Sequence, residues 1–371
     1  MSRIQIIASG LIYRNPKPHL RSRQAYFPSL VRLTDGGLVA AFDIGEAFEA
    51  TDVRSYVSRS DDDGQTWSSP IKMFEPDTSR SAVSTSCRIN HDGNGNLIGL
   101  AILMHRHDEE MGLANPETDG FVRTDFATIK SVDGGKSWTP PAIVELPVDW
   151  GCFEICSPII PLPSGRWLLP TSPWPDWDGV SKYGPKALVF ISDDQGSAWS
   201  KAVDTMNRSS ERVAFFEQKV ARLSDGRAMA LCWVVDLNSK QNLPNHMAFS
   251  SDSGDTFSAP IATPLHGETC TPLGLPGNNV LCVYRRADKR GLWAHLCKID
   301  GQRWQELAYE PLWGTNTASH DESAPSLLAQ MSTLRFGCPT LTRLTGNDVL
   351  GAFWCIEDAV SCIRWIRLRI S

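Results

Sequence analysis

The chain has 371 residues, with 36 Lys and Arg against 42 Asp and Glu and a formal net charge of −6. The charges are dispersed and no basic run occurs, which argues against a nucleic-acid surface and against a polybasic membrane signal. Thirteen Trp are unusually many, and sheets packed face to face would use them.

From the start of the chain, Ile4–Ile12 is apolar but broken by Ser9 and Gly10. It is too short for a transmembrane helix and lacks a small-residue cleavage site, so it reads as a strand and the protein as cytoplasmic. Ser29–Leu33, the turn Thr34–Gly37 and Leu38–Phe42 then read as strand, tight turn, strand. A polar loop leads to strands Val53–Ser58 and Pro70–Phe74, joined by the stretch Ser60–Trp67. The same order returns with Cys87–Ile89, Leu97–Met104 and Thr124–Lys130, and again with Pro158–Leu162, Trp167–Pro170 and Ala187–Ser192. A fourth unit reads Lys219–Leu223, Arg227–Val234 and His246–Ser250, and a fifth Pro272–Leu275, Val280–Tyr284 and Leu292–Ile299. The sixth, Thr340–Leu344, Val349–Trp354 and Cys362–Ile370, is one strand short, and Arg3–Ala8 is the natural strand to complete it.

The stretch Ser60–Trp67 has the pattern Ser-x-Asp-x-Gly-x-Thr/Ser-aromatic, and it returns at Ser131–Trp138, at Ser192–Trp199 with Ala198 in the Thr slot, and at Ser250–Phe257. Asp300–Trp304 is a worn copy. Short polar side chains that bond back to the backbone, with a Gly free to take positive φ, make a compact turn that the aromatic pins to the sheet behind it. A period of roughly 60 residues divides the chain into about six units. The motif resembles the Asp box of sialidase-type β-propellers. The resemblance implies an all-β chain, a six-bladed β-propeller of four-stranded antiparallel blades, with residues 1–371 as one domain.

Naming the strands of each blade a to d, the a–b turns and the c–d Asp boxes share one face. The b–c loops and the entries to strand a share the other, and those loops are long and polar or aromatic in blades one to four, as expected of a functional rim. The positions gathered there include Arg23 and Tyr26 with Glu46, Glu49 and Asp52, Arg88 with His105, and Glu154 with Trp174. Glu217, Arg285 and Arg290 complete the set. Carboxylates suit acid/base work, arginines an anionic group and aromatics a sugar face. His105 and His107 have strand spacing without a third ligand, so no metal and no cofactor is expected. The ten scattered Cys, with no C-x-x-C pair, fit reduced thiols at least as well as disulfides.

The run Phe216–Arg227 is similar to the sialidase segment whose Glu activates a nucleophilic Tyr, which implies that role for Glu217. Tyr26 stands in the slot of a carboxylate-binding arginine of that family and Cys338 in the slot of its Tyr, so ordinary sialic acid hydrolysis is not expected. The resemblance instead implies a glycoside hydrolase acting on an acidic sugar conjugate. Glu217 and one of Glu46, Glu49 or Asp52 form the acid/base pair, Arg23, Arg88 and Arg285 bind the anionic group, and Tyr26 orients it. A lyase on uronic acid residues, with Tyr26 or His105 as base, and a non-catalytic glycan-binding propeller are the alternatives. The partner is a small-molecule or oligosaccharide substrate, with no nucleic acid or membrane. The oligomeric state is open.

Overall fold

The computed structural model describes residues 3–324 and 327–371. Residues 1, 2, 325 and 326, which the expected domain includes, lie outside them. Six four-stranded antiparallel sheets form the blades of a propeller. Blade 1 is Gln24–Arg32, Leu38–Gly45, Arg54–Ser60 and Ile71–Lys72; blade 2 is Ala82–His91, Leu97–Arg106, Thr124–Ser131 and Ala142–Ile143. Blade 3 is Ile160–Pro161, Trp167–Thr171, Ala187–Ser192 and Lys201–Met206; blade 4 is Val213–Arg222, Ala228–Asp236, Gln241–Ser250 and Ile261–Ala262. Blade 5 is Gly267–Leu275, Asn279–Arg286, Leu292–Asp300 and Arg303–Trp313. Blade 6 takes Phe336–Arg343, Asp348–Glu357 and Val360–Ile370 from late in the chain and Ile4–Tyr13 from its start, paired from Ile4 opposite Ile370 to Tyr13 opposite Ile363 with register shifts between Ile6 and Ala8 and between Leu11 and Tyr13.

The b strands are apolar at nearly every position because successive side chains face opposite neighbours. In blade 1, Leu38, Ala40 and Phe42 pack against blade 6, while Val39 and Ala41 pack against blade 2. The buried hydrophobic residues fall into six clusters, one at each blade-to-blade interface. Trp167 and Trp354 are among the largest fully buried side chains, which accounts for part of the tryptophan content.

The four full boxes do the turn-making expected of them. In the first, Ser60 Oγ accepts the Gly64 N–H at 2.9 Å, and Asp62 accepts the backbone N–H and hydroxyl of Thr66. These donors, led by the Thr66 hydroxyl, hold the Asp62 carboxyl down at about 2. Asp133 and Asp252 repeat the arrangement with Ser137 and Thr256, whereas Asp194 receives the backbone N–H of Ala198 but no hydroxyl from that position. A groove lined by Arg32, Asp35, Asp61 and Gln65 places the blade 1 a–b turn beside its box, on the face opposite the b–c loops.

In blades 1, 4, 5 and 6 strand a extends beyond its expected start. Pairing is interrupted between Tyr26 and Ser29, Phe216 and Lys219, Glu268 and Thr271, and Gly337 and Thr340. Each bulge contains one non-glycine residue in the left-handed region: Phe27 (φ 53°), Glu217 (φ 52°), Thr269 (φ 52°) and Cys338 (φ 46°). Such conformations cost on the order of 1–3 kcal/mol each and persist only where the surroundings impose them. Among the described residues, no helix is long and apolar enough to cross a membrane.

Candidate active site

The bulges of blades 4, 5 and 6, on the innermost strands, touch one another in sequence from blade to blade. Glu217 turns its carboxylate onto the next bulge, where it accepts the Thr269 backbone N–H and the Thr269 hydroxyl at 2.7 and 2.8 Å. Thr269 Oγ1 in turn lies 4.0 Å from Cys338 Sγ in blade 6. Behind Glu217, the buried Glu154 of blade 3 accepts the Gln218 N–H at 3.3 Å, so it braces the bulge that aims Glu217. Burial pushes the Glu154 carboxyl up to about 8, against the pull of the backbone donors at Glu217 and Gln218. Burial raises Glu217 too, with Arg285 and Thr269 opposing.

Three cations lie on these inner strands or at the ends of the adjoining b strands. Arg285 gives Nε to Glu268 at 2.9 Å and Nη1 to the Phe336 carbonyl at 3.0 Å; burial works against its charge, but Glu268 and Glu217 more than restore it. Gly337 is required beside it, because a Cβ there would fall on the guanidinium. Lys219 donates to Thr271 Oγ1 at 2.6 Å and the Pro339 carbonyl at 3.0 Å, and burial lowers its pKa. Arg88 donates to Ser86 Oγ at 2.8 Å and the Phe27 carbonyl at 3.3 Å, lies over the Phe27 ring, and is 3.8 Å from Asp43. Asp43 is fully buried; burial raises it to about 7, opposed by Arg88, Ser86 and Ser55.

Other sequence-derived residues are engaged elsewhere. Tyr26 is 5% exposed among Phe27, Phe48 and Trp354, beside Ser361, and burial pushes its phenol up, so its position is that of a core aromatic. Arg23 is exposed and meets Tyr13 on the outermost strand of blade 6. Arg290 is exposed and pairs with Glu322 at 2.9 Å. Glu49 accepts the Leu113 N–H and Asp52 caps the Glu46 N–H, which leaves the exposed Glu46 carboxylate without a partner among the described residues. His105 is held between Ser81 Oγ at 3.1 Å and Asp125 Oδ2 at 2.9 Å. Trp174 stacks on Phe121 with centroids 4.1 Å apart. It lies where the blade 2 and blade 3 loops interlock, with Asn115 and Thr118 donating to the Trp177 carbonyl.

The profile of the BNR repeat-like domain family matches residues 36–318. The chain belongs to that family. No curated protein matches it. Among solved structures, this BNR repeat-like propeller is similar to a protein of unknown function from Dyadobacter fermentans, at 20% identity over 99% of both chains with a TM-score of 0.77. It is similar also to the Hadza microbial sialidase Hz136, at 16% identity over 97% of this chain and 68% of that one, with a TM-score of 0.70. A third likeness is to Penicillium chrysogenum α-L-arabinanase complexed with arabinobiose, at 14% identity over 98% of both chains with a TM-score of 0.64. At these identities the likeness is one of fold.

Glu217, Arg285, Arg88 and Glu154 of this cluster are legible in the sequence, whereas Lys219, Thr269 and Asp43 are not. Lys219 and Thr269 owe their placement to the bulges, which shift the alternation of strand a. Non-glycine residues in the left-handed region leave little trace in a sequence when they are Phe, Glu, Thr and Cys. Asp43 sits within an otherwise apolar strand b, and its isolation there was the available signal.

Proposed function

We propose that this protein is a carbohydrate-active enzyme that cleaves a glycosidic bond in an acidic sugar conjugate, with Glu217 as its acid/base residue. The observation that carries the reading is the strained placement of Glu217: a half-buried glutamate at φ 52° whose carboxyl is gripped by Thr269 and whose bulge is braced from behind by Glu154. Three cations, Arg88 and Lys219 of the inner strands and Arg285 at the end of the blade 5 b strand, suit the anionic group of the substrate. Glu46, unpartnered and exposed on the blade 1 rim, is the carboxylate free to serve as the second member of the pair. Burial raises Glu217, against the pull of Arg285 and Thr269, which is the direction a general acid needs. Likeness in fold to a sialidase and an arabinanase supports an oligosaccharide ligand. The ten cysteines, none paired in a disulfide, suit a reducing compartment such as the cytoplasm.

The test is a panel of acidic glycosides assayed for released sugar. Glu217→Gln should abolish turnover while ligand-induced thermal stabilisation persists; full turnover by the variant would remove Glu217 from the chemistry. A glycan-binding propeller is the second reading, favoured because Arg285, Lys219 and Arg88 already have protein acceptors. Stabilisation by glycans with no turnover across the panel would select it. For a uronate lyase, His105 keeps the orientation of a base through Asp125, whereas Tyr26 has its phenol buried.

A further inference from the structure

The b–c hairpin of blade 6 closes through Asp358 and Ala359, both at positive φ (49° and 61°), and carries Cys355 directly opposite Cys362. Period-two alternation puts Cys355, Glu357, Cys362 and Arg364 on one face of that hairpin. Both cysteines are fully buried, their Sγ atoms are 3.8 Å apart, and Glu357 Oε2 is 4.0 Å from Cys362 Sγ. The two sulfurs and the nearer carboxylate oxygen all lie within 4.8 Å of one another.

The register decides between the two chemistries open to such a pair. Ile356 and Ser361 send their backbone N–H groups out of the hairpin, to the Arg335 carbonyl and to Gln24 Oε1. They therefore form a non-hydrogen-bonded pair, and the next pair, Cys355 with Cys362, is hydrogen-bonded, where Cα atoms stand about 5.5 Å apart. Opposed Cβ atoms lie about 4.5–5.5 Å apart in a sheet, closer in the non-hydrogen-bonded pairs, whereas a disulfide needs about 3.5–4.5 Å, so the wide pair is poorly placed for an S–S bond. Tetrahedral ligation at a Zn–S distance of about 2.3 Å puts two thiolates about 3.8 Å apart, which is the spacing found.

We propose that Cys355, Cys362 and Glu357 form a structural site for one thiophilic divalent cation of the zinc type, clamping the b–c hairpin of the blade that closes the ring. On binding, the two thiols release their protons to solvent. Two thiolates and a carboxylate then balance the dication together with Arg364, whose Nε and Nη2 hold the Glu357 oxygens at 2.9 and 3.0 Å. A buried cluster with no net charge escapes the penalty of an unpaired ion. Half-buried Glu357 leaves solvent a route to a fourth ligand position. The clamp has a mechanical purpose, since the adjacent Ser361 donates from N to Gln24 Oε1 and from Oγ to the Ala25 carbonyl, both at 2.6 Å, and so joins this hairpin to strand a of blade 1.

The test uses the full chain, stripped with chelator under reducing conditions and titrated with Co(II) and then Zn(II). One equivalent of Co(II) should give thiolate charge-transfer and tetrahedral ligand-field absorption that Zn(II) abolishes, and Zn(II) should raise the melting temperature. Cys362→Ser should lose both responses, and Glu357→Gln should keep the charge-transfer band with affinity weakened about tenfold or more. Absence of the band in the wild type, or its persistence in Cys362→Ser, overturns the proposal. So does loss of two titratable thiols in the denatured, metal-free protein purified without reductant, which would mark a disulfide. If Cys362→Ser does not fold, ¹¹³Cd resonance of the wild type decides: a shift typical of two sulfur ligands supports the site and one typical of oxygen ligands refutes it.

Discussion

Replacing Glu154 by Gln separates the energetics of the central cluster from its chemistry. Glu154 is 2% exposed, and burial keeps its proton on up to about 8. An acid whose folded pKa lies above its unfolded value binds more protons in the native state. The contribution of Glu154 to native stability is therefore fully present below the ordinary value of 4.5 and is lost as pH rises towards 8. At about 1.4 kcal/mol per pH unit, that interval corresponds to as much as about 5 kcal/mol. Glutamine keeps the shape and an acceptor for the Gln218 N–H but has no proton to lose. Urea unfolding followed from about pH 5 to about pH 8 should show the wild type losing several kcal/mol and the variant following a flatter line that crosses above it. Asp43, at about 7, and Glu217 are raised by burial in the same sense, so part of the slope should remain. An unchanged slope, or a variant less stable than the wild type at about pH 8, would refute the assignment of that proton to Glu154.

Three further outcomes are expected. Tyr26→Phe should cost about 1 kcal/mol in chemical denaturation and leave turnover of any substrate intact, because the phenol lies in an aromatic core; lost turnover in a folded variant would restore it to the chemistry. Gly337→Ala should destabilise by about 1–3 kcal/mol, because the new Cβ pushes Arg285 from the Phe336 carbonyl, and should weaken binding of acidic ligands in calorimetry. Ala198→Thr should supply the hydroxyl that the third box lacks for Asp194 and raise the melting temperature by about 1–2 °C; a fall would show that this turn cannot seat the side chain.

Much of the ring was readable because turn chemistry repeats. The boxes set the blade register, and the incomplete sixth unit identified the strand that closes it. The expected starts of strand a at Ser29, Lys219 and Thr340 are the residues where pairing resumes after a bulge, and Pro272 is one residue beyond such a point. Beyond each bulge the alternation breaks, so the extensions that carry Tyr26, Glu217, Glu268 and Gly337 do not look like strands. The worn box at Asp300–Trp304 is a tight turn into the long strand Arg303–Trp313, whose pairing the sequence did not signal. Rim residues were harder still, since Arg290 and Glu322 lie 32 positions apart and only the folded loops bring them together.

The closure of blade 6 also sets the order in which the protein can be made. Residues 4–13 leave the ribosome before the rest of the propeller, yet their partner strand is residues 360–370. At roughly 5–20 residues per second, that strand waits roughly 20–70 seconds with its hydrogen-bonding edge unpaired and with Ile4, Ile12 and Tyr13, which the closed ring buries, in water. The other blades draw their four strands from neighbouring stretches and can form as they emerge. Synthesis of this propeller therefore passes through a long-lived open ring, and a chain halted before residue 360 would keep an adhesive edge for as long as it lasted.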